Sequence, residues 1–455
     1  MDDEYKDFQQ IAIDKLIDPL DQLSVEQTEN SQDGEELKSF TEEFLKNFET
    51  FMNEPSFFTL IDLNDKIRSN QGYQYANIFK KDYIQNVISL FSPTMSNDDA
   101  NALLDNFILL LEMKNSPFVI RFSDNGIIAV LQQMWDIFKD KQPQILDCFS
   151  FLISQTHSEY ADEILHFIFK TTISNIIKAK DIAMTHASMT FILSMVKNLS
   201  LTEKQKEKIK NATLAALNYD DRSVLLSLWC ISYFLTNYIQ DFKLLGGTTL
   251  AFSILTLIPH EDDNITLISL EIFRKLLGRP DTHFYTFPYP QVFEKLIDLT
   301  NHISEQVTIK AFTAINAAIK HYPGAPEHFL MLGIMDHLSE YMETATSSIK
   351  EISFVIFSQL LNFTIPEASR DMLLDPRLEM FTDFVFDTGG RRFVLFVNAL
   401  LTALHKCDSA SIGTEPRERI AQMNIVQNID EIYNSLSDEG SKLADLFLSE
   451  FETNE

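Results

Sequence analysis

No arginine occurs in this chain before Arg68, and the stretch ahead of Pro55 holds only four lysines, Lys6, Lys15, Lys38 and Lys46. Across all 455 residues, 37 Lys and Arg stand against 66 Asp and Glu, a formal net charge of −29. Phosphate backbones are held by clustered cations, so this balance argues against nucleic acid and favours basic protein segments as partners. The same charge also keeps a long apolar chain in solution. Cysteine is scarce: Cys148, Cys230 and Cys407 stand far apart in apolar helical patterns with no CxxC pair, which points to packing in a reducing compartment. Only 12 Gly and 14 Pro are present, too few for a β-rich or linker-rich protein of this length. No apolar run reaches the roughly 18 residues of a membrane span. The acidic opening MDDEYKD does not read as a signal peptide, so no membrane is expected as a partner and the cytoplasm, the nucleus or both are the expected compartments. Catalytic signatures are missing as well. There is no glycine-rich phosphate loop, no HExxH and no GxSxG, and the ten histidines lack ligand spacing. No catalytic residue, metal ligand or cofactor is assigned, and a non-enzymatic role is expected. The dense polar cluster His260-Glu261-Asp262-Asp263 reads as a turn between helices.

What is present is helical periodicity that repeats. Between Arg222 and Asp281, the apolar positions Val224, Leu225, Leu228, Trp229, Ile231 and Phe234 follow the spacing of a helix buried on most of its circumference. Gly246-Gly247 then breaks the chain and turns it into a second helix, Thr249 to Ile258. After Pro259 a third begins near Asn264 with Ile265, Leu267, Ile268, Leu270, Ile272, Phe273, Leu276 and Leu277. The third-helix pattern recurs: Trp229 to Glu271 is 42 residues, Glu271 to Phe312 is 41, and Phe312 to Val355 and Val355 to Asn398 are 43 each. Gly126, Gly247 and Gly333 keep the same beat. A period of about 40 to 47 residues with two or three helices per unit is that of armadillo and HEAT arrays. Such a unit cannot bury its own apolar face, so neighbours must stack. The expected fold is all-α, a right-handed α-solenoid of the armadillo/HEAT type with about nine to ten repeats, its third helices lining a concave groove.

The expected organisation is an acidic N-terminal leader over 1–80, the solenoid over 81–452 and an acidic tail over 453–455. Within the leader, Ile11, Ile13, Leu16, Ile17 and Leu20 form an amphipathic pattern, NSQDGEE from Asn30 has linker composition, and Phe40, Phe44, Leu45, Phe48, Phe51 and Met52 form a helical stripe. The leader is therefore partly helical or flexible, with repeats starting near Tyr83. The basic run KQKEKIK, Lys204 to Lys210, reads as a solvated face. FYTFPYP, ending at Pro290, reads as a rigid extended stretch in place of a first helix, and Arg391-Arg392 after Gly389-Gly390 as the start of a third.

The succession Leu110-Leu111-Glu112, then Asn115-Ser116-Pro117-Phe118, then Asp124-Asn125-Gly126-Ile127-Ile128 resembles the junction of the first two repeats of importin-α, the armadillo adaptor of nuclear import. Trp229-Cys230-Ile231-Ser232-Tyr233-Phe234 resembles its W-A-I-S-Y-L third helix, and Leu332-Gly333-Ile334-Met335 its C-G-I-I junction. The segment from Ile425 to Phe451 resembles its terminal repeat. The resemblance, spanning about residues 80 to 455, implies an adaptor for protein cargo in nucleocytoplasmic transport, with transport receptors as further partners.

In that family a Trp and an Asn four residues later share one face of each third helix; the indoles hold lysine stems and the amides bond the backbone of a basic peptide. Carried over, Trp229 is followed by Tyr233, Glu271 by Lys275, Phe312 by Asn316, Val355 by Gln359 and Asn398 by Thr402. The resemblance thus assigns Trp229, Tyr233, Glu271, Phe312, Asn316 and Gln359 to the groove that binds protein or peptide segments. The array is depleted, because one Trp and one Asn survive, in different repeats. Trp135 sits in a second-helix pattern and reads as core. A lysine-rich localisation peptide is expected to bind weakly, and residues 1–70, without a basic cluster, are not expected to bind importin-β. An armadillo scaffold outside transport, in trafficking or cytoskeletal assembly, stays open as the second functional class.

Overall fold

The computed structural model describes residues 34–69, 79, 81–112, 118–155, 158–237, 248–277, 289–388, 391–423, 425–433 and 436–451. These form 24 α-helices and no strand. Gly246-Gly247, Gly389-Gly390, the amphipathic pattern at Ile11 to Leu20 and FYTFPYP up to Pro288 lie outside the described residues. The chain divides into two compact units, Met1–Gly246 and Gly247–Glu455.

The first unit holds α1 (Gly34–Asn53), α2 (Phe57–Ser69), α3 (Lys81–Ser89), α4 (Asn97–Leu111), α5 (Phe118–Asp124), α6 (Ile127–Ile137), α7 (Gln142–Gln155), α8 (Ser158–Lys178), α9 (Ile182–Asn198), α10 (Glu203–Ala216) and α11 (Asp221–Asn237). One row runs through it: α4 packs on α2 and α7, α7 on α9, and α9 on α11. Helix starts follow from local chemistry. Ser96 and Asp99 form a reciprocal capping box at α4, Thr202 and Gln205 another at α10, and Asp181 accepts from the Met184 amide at α9. Gly126 has φ 90°, the left-handed conformation that a side chain resists, and splits α5 from α6. Glycine-free α8 runs on as one helix of 21 residues, so this repeat has two helices where the preceding one has three.

The row includes α2, inside the stretch read as leader. Asn64 donates to the Ala102 carbonyl at 2.8 Å, and Asn106 donates to the Asn64 side-chain oxygen at 2.7 Å and to the Tyr83 hydroxyl at 2.8 Å. All three side chains are buried, so each needs those bonds. Phe44, Phe48, Phe51 and Phe79 gather around Tyr83, tying α1 to the same end. Burial drives the Tyr83 hydroxyl well above its usual range, so it remains a neutral donor-acceptor.

The second unit holds α12 (Thr248–Leu257), α13 (Asp263–Leu277), α14 (Tyr289–Thr300), α15 (Glu305–His321), α16 (Ala325–Met331), α17 (Ile334–Thr344), α18 (Ser347–Phe363), α19 (Pro366–Leu374), α20 (Leu378–Thr388), α21 (Arg391–Ser409), α22 (Thr414–Gln422), α23 (Ile425–Ile432) and α24 (Asp438–Phe451). Its row is α13, α15, α18, α21 and α24, each packed on the next. Gly333, with φ 79°, separates α16 from α17, and Pro366 opens α19, where its missing N–H costs nothing. The core is aromatic: Phe357 and Phe381 stack at 4.0 Å. Bonds between successive repeats span close to one period. Tyr219 reaches the Ile176 carbonyl, Tyr341 that of Thr300 and Lys406 that of Thr364, separations of 43, 41 and 42 residues.

Candidate functional site: the exposed stripes of the third helices

A helix packed between two neighbours in a row keeps one narrow stripe in contact with solvent. On α11 it runs through Arg222, Leu225, Trp229, Tyr233 and Thr236, the spacing of one helix face. Trp229 and Tyr233 are half-buried, with ring centroids 6.1 Å apart. One face of Tyr233 already carries a cation, since Lys197 Nζ of α9 sits 5.5 Å from the ring centroid. Trp135, by contrast, is buried and meets Phe167 edge-on.

The same face of the first unit carries carboxylates that the family-based assignment did not include. Asp105 and Glu112 lie on the α4 stripe and Asp147 on that of α7. Asp105 pairs with Arg68 at 3.3 Å. The carboxylates of Glu112 and Asp147 have no hydrogen bond or close ion pair among the described residues. Burial raises the Glu112 carboxyl from 4.5 to about 7, with the nearby Asp147 charge adding to the rise. Burial likewise lifts Asp147 from 3.8 to about 6, the positive field of Arg222 opposing it. Two half-buried acids that resist ionisation together are relieved by a cation placed between them. The signal was there in the spacing: Asp105 and Asp147 are one 42-residue beat apart (147 − 105).

The second unit arranges its stripe differently. Glu271 stands at the centre of the α13 stripe but is buried under Arg274, which donates through Nε at 3.1 Å and Nη2 at 2.6 Å. Lys310 Nζ of α15 donates to the same carboxylate at 3.1 Å, and Lys275 Nζ stands 3.9 Å from it. Burial opposes ionisation of Glu271, yet the Arg274 bonds and the three positive charges outweigh it and hold the acid down at about 2.

Phe312 needs a correction: its ring is fully buried, edge-on to Tyr341 at 5.6 Å, beneath the face rather than on it. The α15 stripe runs through Ile309, Thr313, Ala317 and Lys320. A 41-residue step from Glu271 lands on 312 where a 42-residue step lands on 313, and one residue turns a helix by about 100°. Asn316 lies on the shoulder of that stripe, 1% exposed, with neither amide atom hydrogen-bonded. Gln359 is buried on α18, Val355 half-buried beside it, and Asn398 exposed on α21. Arg392 pairs with Glu351 and stacks 4.7 Å from the Phe384 centroid, so it is committed within the fold. In the KQKEKIK run, Lys206 is buried with Glu203 at 2.7 Å, unlike the wholly solvated face expected. His260 to Asp263 form a turn in which His260 accepts from the Asp262 amide.

No protein-family model and no curated protein matches the chain. Among solved structures, it is similar to an engineered protein at 12% identity and a TM-score of 0.67, over 90% of this chain and 99% of the other. It is also similar to computationally designed armadillo repeat proteins for modular peptide recognition, at 12% identity and TM-score 0.42, over 50% and 97%. A designed armadillo repeat protein in complex with the peptide (KR)4 gives 12% and 0.39, over 56% and 98%. The chain has an all-α, armadillo-type solenoid fold. At this identity the likeness is one of fold. Armadillo repeats as a class bind peptides in a groove. No helix among the described residues is long and apolar enough to cross a membrane.

Proposed function

We propose that this chain is a non-enzymatic adaptor that holds an extended protein segment along the stripes of its third helices, with basic side chains seated at Glu112 and Asp147. The observation that carries the reading is that pair: two half-buried carboxylates, one at the C-cap of α4 and one on α7, both raised and neither in a close ion pair among the described residues. Trp229 and Tyr233 supply apolar walls on the same unit for the stem of such a side chain. The resemblance to importin-α at Trp229 to Phe234 and at the Gly126 and Gly333 junctions supports nucleocytoplasmic protein transport as the setting, in cytoplasm and nucleus. With only one exposed indole, binding rests on carboxylates more than on stacked slots. It is therefore weak, micromolar and salt-sensitive.

The test is a titration of the full chain with a labelled peptide of alternating lysine and arginine at physiological salt. Affinity should rise between pH 5 and pH 8 as Glu112 and Asp147 ionise, and the double substitution Glu112→Gln, Asp147→Asn should weaken it about tenfold, or about 1.4 kcal/mol. Affinity unchanged by that double substitution would overturn the seating. Submicromolar binding abolished by Trp229→Ala would move the centre of recognition to the indole.

A further inference from the structure

Three aspartates recur on successive row helices of the first unit. Asp65 on α2, Asp105 on α4 and Asp147 on α7 stand 40 and 42 residues apart, one period each, and none of the three is buried. On α2 the exposed stripe runs through Phe58, Ile61, Asp65 and Arg68, with Leu60, Leu63 and Ile67 buried behind it. The thiol of Cys148, the residue after Asp147, is raised by burial first and then by the charges of Asp147, Glu112 and Asp105, so Asp105 lies within field range of α7. A row of acids alone names no ligand, but one guanidinium already sits in this row. Arg68 donates through Nη1 to Asp65 Oδ1 and through Nη2 to Asp105 Oδ2, each at 3.3 Å, so a single planar fork bridges two row helices. Arg68 and Asp105 keep about half of their side-chain surface in solvent, and exposed pairs of this kind add little to the stability of a fold. Arg68 occupies only the Oδ2 atom of Asp105, and a carboxylate accepts more than one donor. Across the next interval, Asp147 is in no close ion pair among the described residues.

We propose that the interval between Asp105 and Asp147 is an arginine slot, taking a guanidinium from the bound protein segment as Asp65 and Asp105 take that of Arg68. The proposal rests on the reading of the third-helix stripes as a segment-binding surface, and names arginine over lysine as the side chain that the first unit selects. A guanidinium reaches two carboxylates with separate nitrogens held in one plane, whereas an ammonium presents a single point of charge. Asp105 thereby joins Glu112 and Asp147 as a binding residue. Arg68 becomes a competitor that the chain supplies itself, because it draws on the same Asp105 carboxylate. The slot depends on the placement of two named carboxylates and not on a local sum of charges.

The test uses the full chain and two fluorescein-labelled ten-residue peptides, alike but for three arginines or three lysines at the same positions, titrated at physiological salt. Expected is about fivefold tighter binding of the arginine peptide, equivalent to about 1 kcal/mol. Asp105→Asn should remove that preference. Asp82→Asn, the same loss of charge at an exposed position on α3, should leave it intact. Arg68→Gln frees Asp105 and should raise affinity for the arginine peptide more than for the lysine peptide, each variant being checked for unchanged helix content. Equal affinity for the two peptides, both weakened by the double substitution Glu112→Gln, Asp147→Asn, overturns the slot and leaves the adaptor reading standing. An arginine preference that survives Asp105→Asn also overturns it. An equal gain for both peptides on Arg68→Gln makes Arg68 a distant charge and overturns its part as competitor. Failure of both peptides to bind removes the slot and the adaptor reading together.

Discussion

The row helices of the two units present the same architectural surface with opposite electrostatics. At the end of α4 and on α7 of the first unit, Glu112 and Asp147 sit half-buried without a close ion pair among the described residues and resist ionisation, the field of Arg222 only partly offsetting the burial of Asp147. On α13 and α15 of the second, Glu271 is surrounded by three cations and ionises more readily than in water. Among the described residues, the first unit thus keeps two carboxylates out of close ion pairs while the second surrounds its carboxylate with cations, a difference that no figure for net charge conveys. Side-chain chemistry on the stripe, rather than the fold, decides what each face can hold.

The contrast breaks most sharply at Glu271. Glu271→Gln leaves the buried Lys310 and the half-buried Arg274 without their carboxylate, and breaking a buried pair from one side costs about 3–5 kcal/mol. Urea unfolding of the variant should show that loss at pH 7. The sign follows from the depressed carboxyl: its stabilisation is present above its unfolded value of 4.5 and is lost as pH falls towards about 2. The penalty in the variant should therefore shrink at pH 3.

The opposite substitution sharpens the comparison. Glu112 and Asp147 titrate higher in the fold than unfolded, so the folded chain binds protons there and their ionisation costs stability as pH rises towards 7 and 6 respectively. Asp147→Asn should raise stability at pH 8 by about 1–3 kcal/mol and by nothing measurable at pH 3.5. A loss of stability at pH 8 would mean that the acid is satisfied within the fold and is not held in reserve for a ligand.

The smallest effect concerns Lys197. Removing it by Lys197→Met gives up a cation–π contact worth about 0.5–1 kcal/mol at an exposed site and uncovers one face of Tyr233. A lysine-bearing peptide should then bind the first unit a few-fold more tightly, and a peptide with glutamates in place of the lysines no differently. Equal changes for both peptides would show that Lys197 acts through the fold and not through the ring.

Much of this architecture was legible in residue order, because stacking repeats need recurrent apolar faces and sharp turns. The 41-to-43 residue beat and the turns at Gly126 and Gly333 correspond to observed helix junctions. The place of α2 in the row was only partly legible: Leu60, Leu63 and Ile67, all buried, keep a helical spacing, but Asn64 interrupts that face and finds its partners Ala102 and Asn106 38 and 42 residues on, beyond any local pattern. Site residues demanded finer resolution still. A period known to within one residue fixes a helix but leaves its azimuth open by about 100°; hence Phe312 falls in the core and Thr313 on the stripe. Pairing sets a further limit. A glutamate code letter does not distinguish Glu271, surrounded by cations, from Glu112, which has no close ion pair among the described residues.

The bonds that join one repeat to the next also bear on how the chain yields under load. Links such as Lys310 to Glu271, Tyr219 to Ile176 and Lys406 to Leu361 close loops of 39, 43 and 45 residues, nearly the same size wherever they occur. Loop-closure entropy depends only on the logarithm of that size, so each added repeat is closed at much the same cost. Within a unit drawn apart by its ends, the terminal helix has a neighbour on one side only and should peel first, shortening the array by one repeat per event. An insertion or deletion of one whole period would leave the remaining loops unaltered in length.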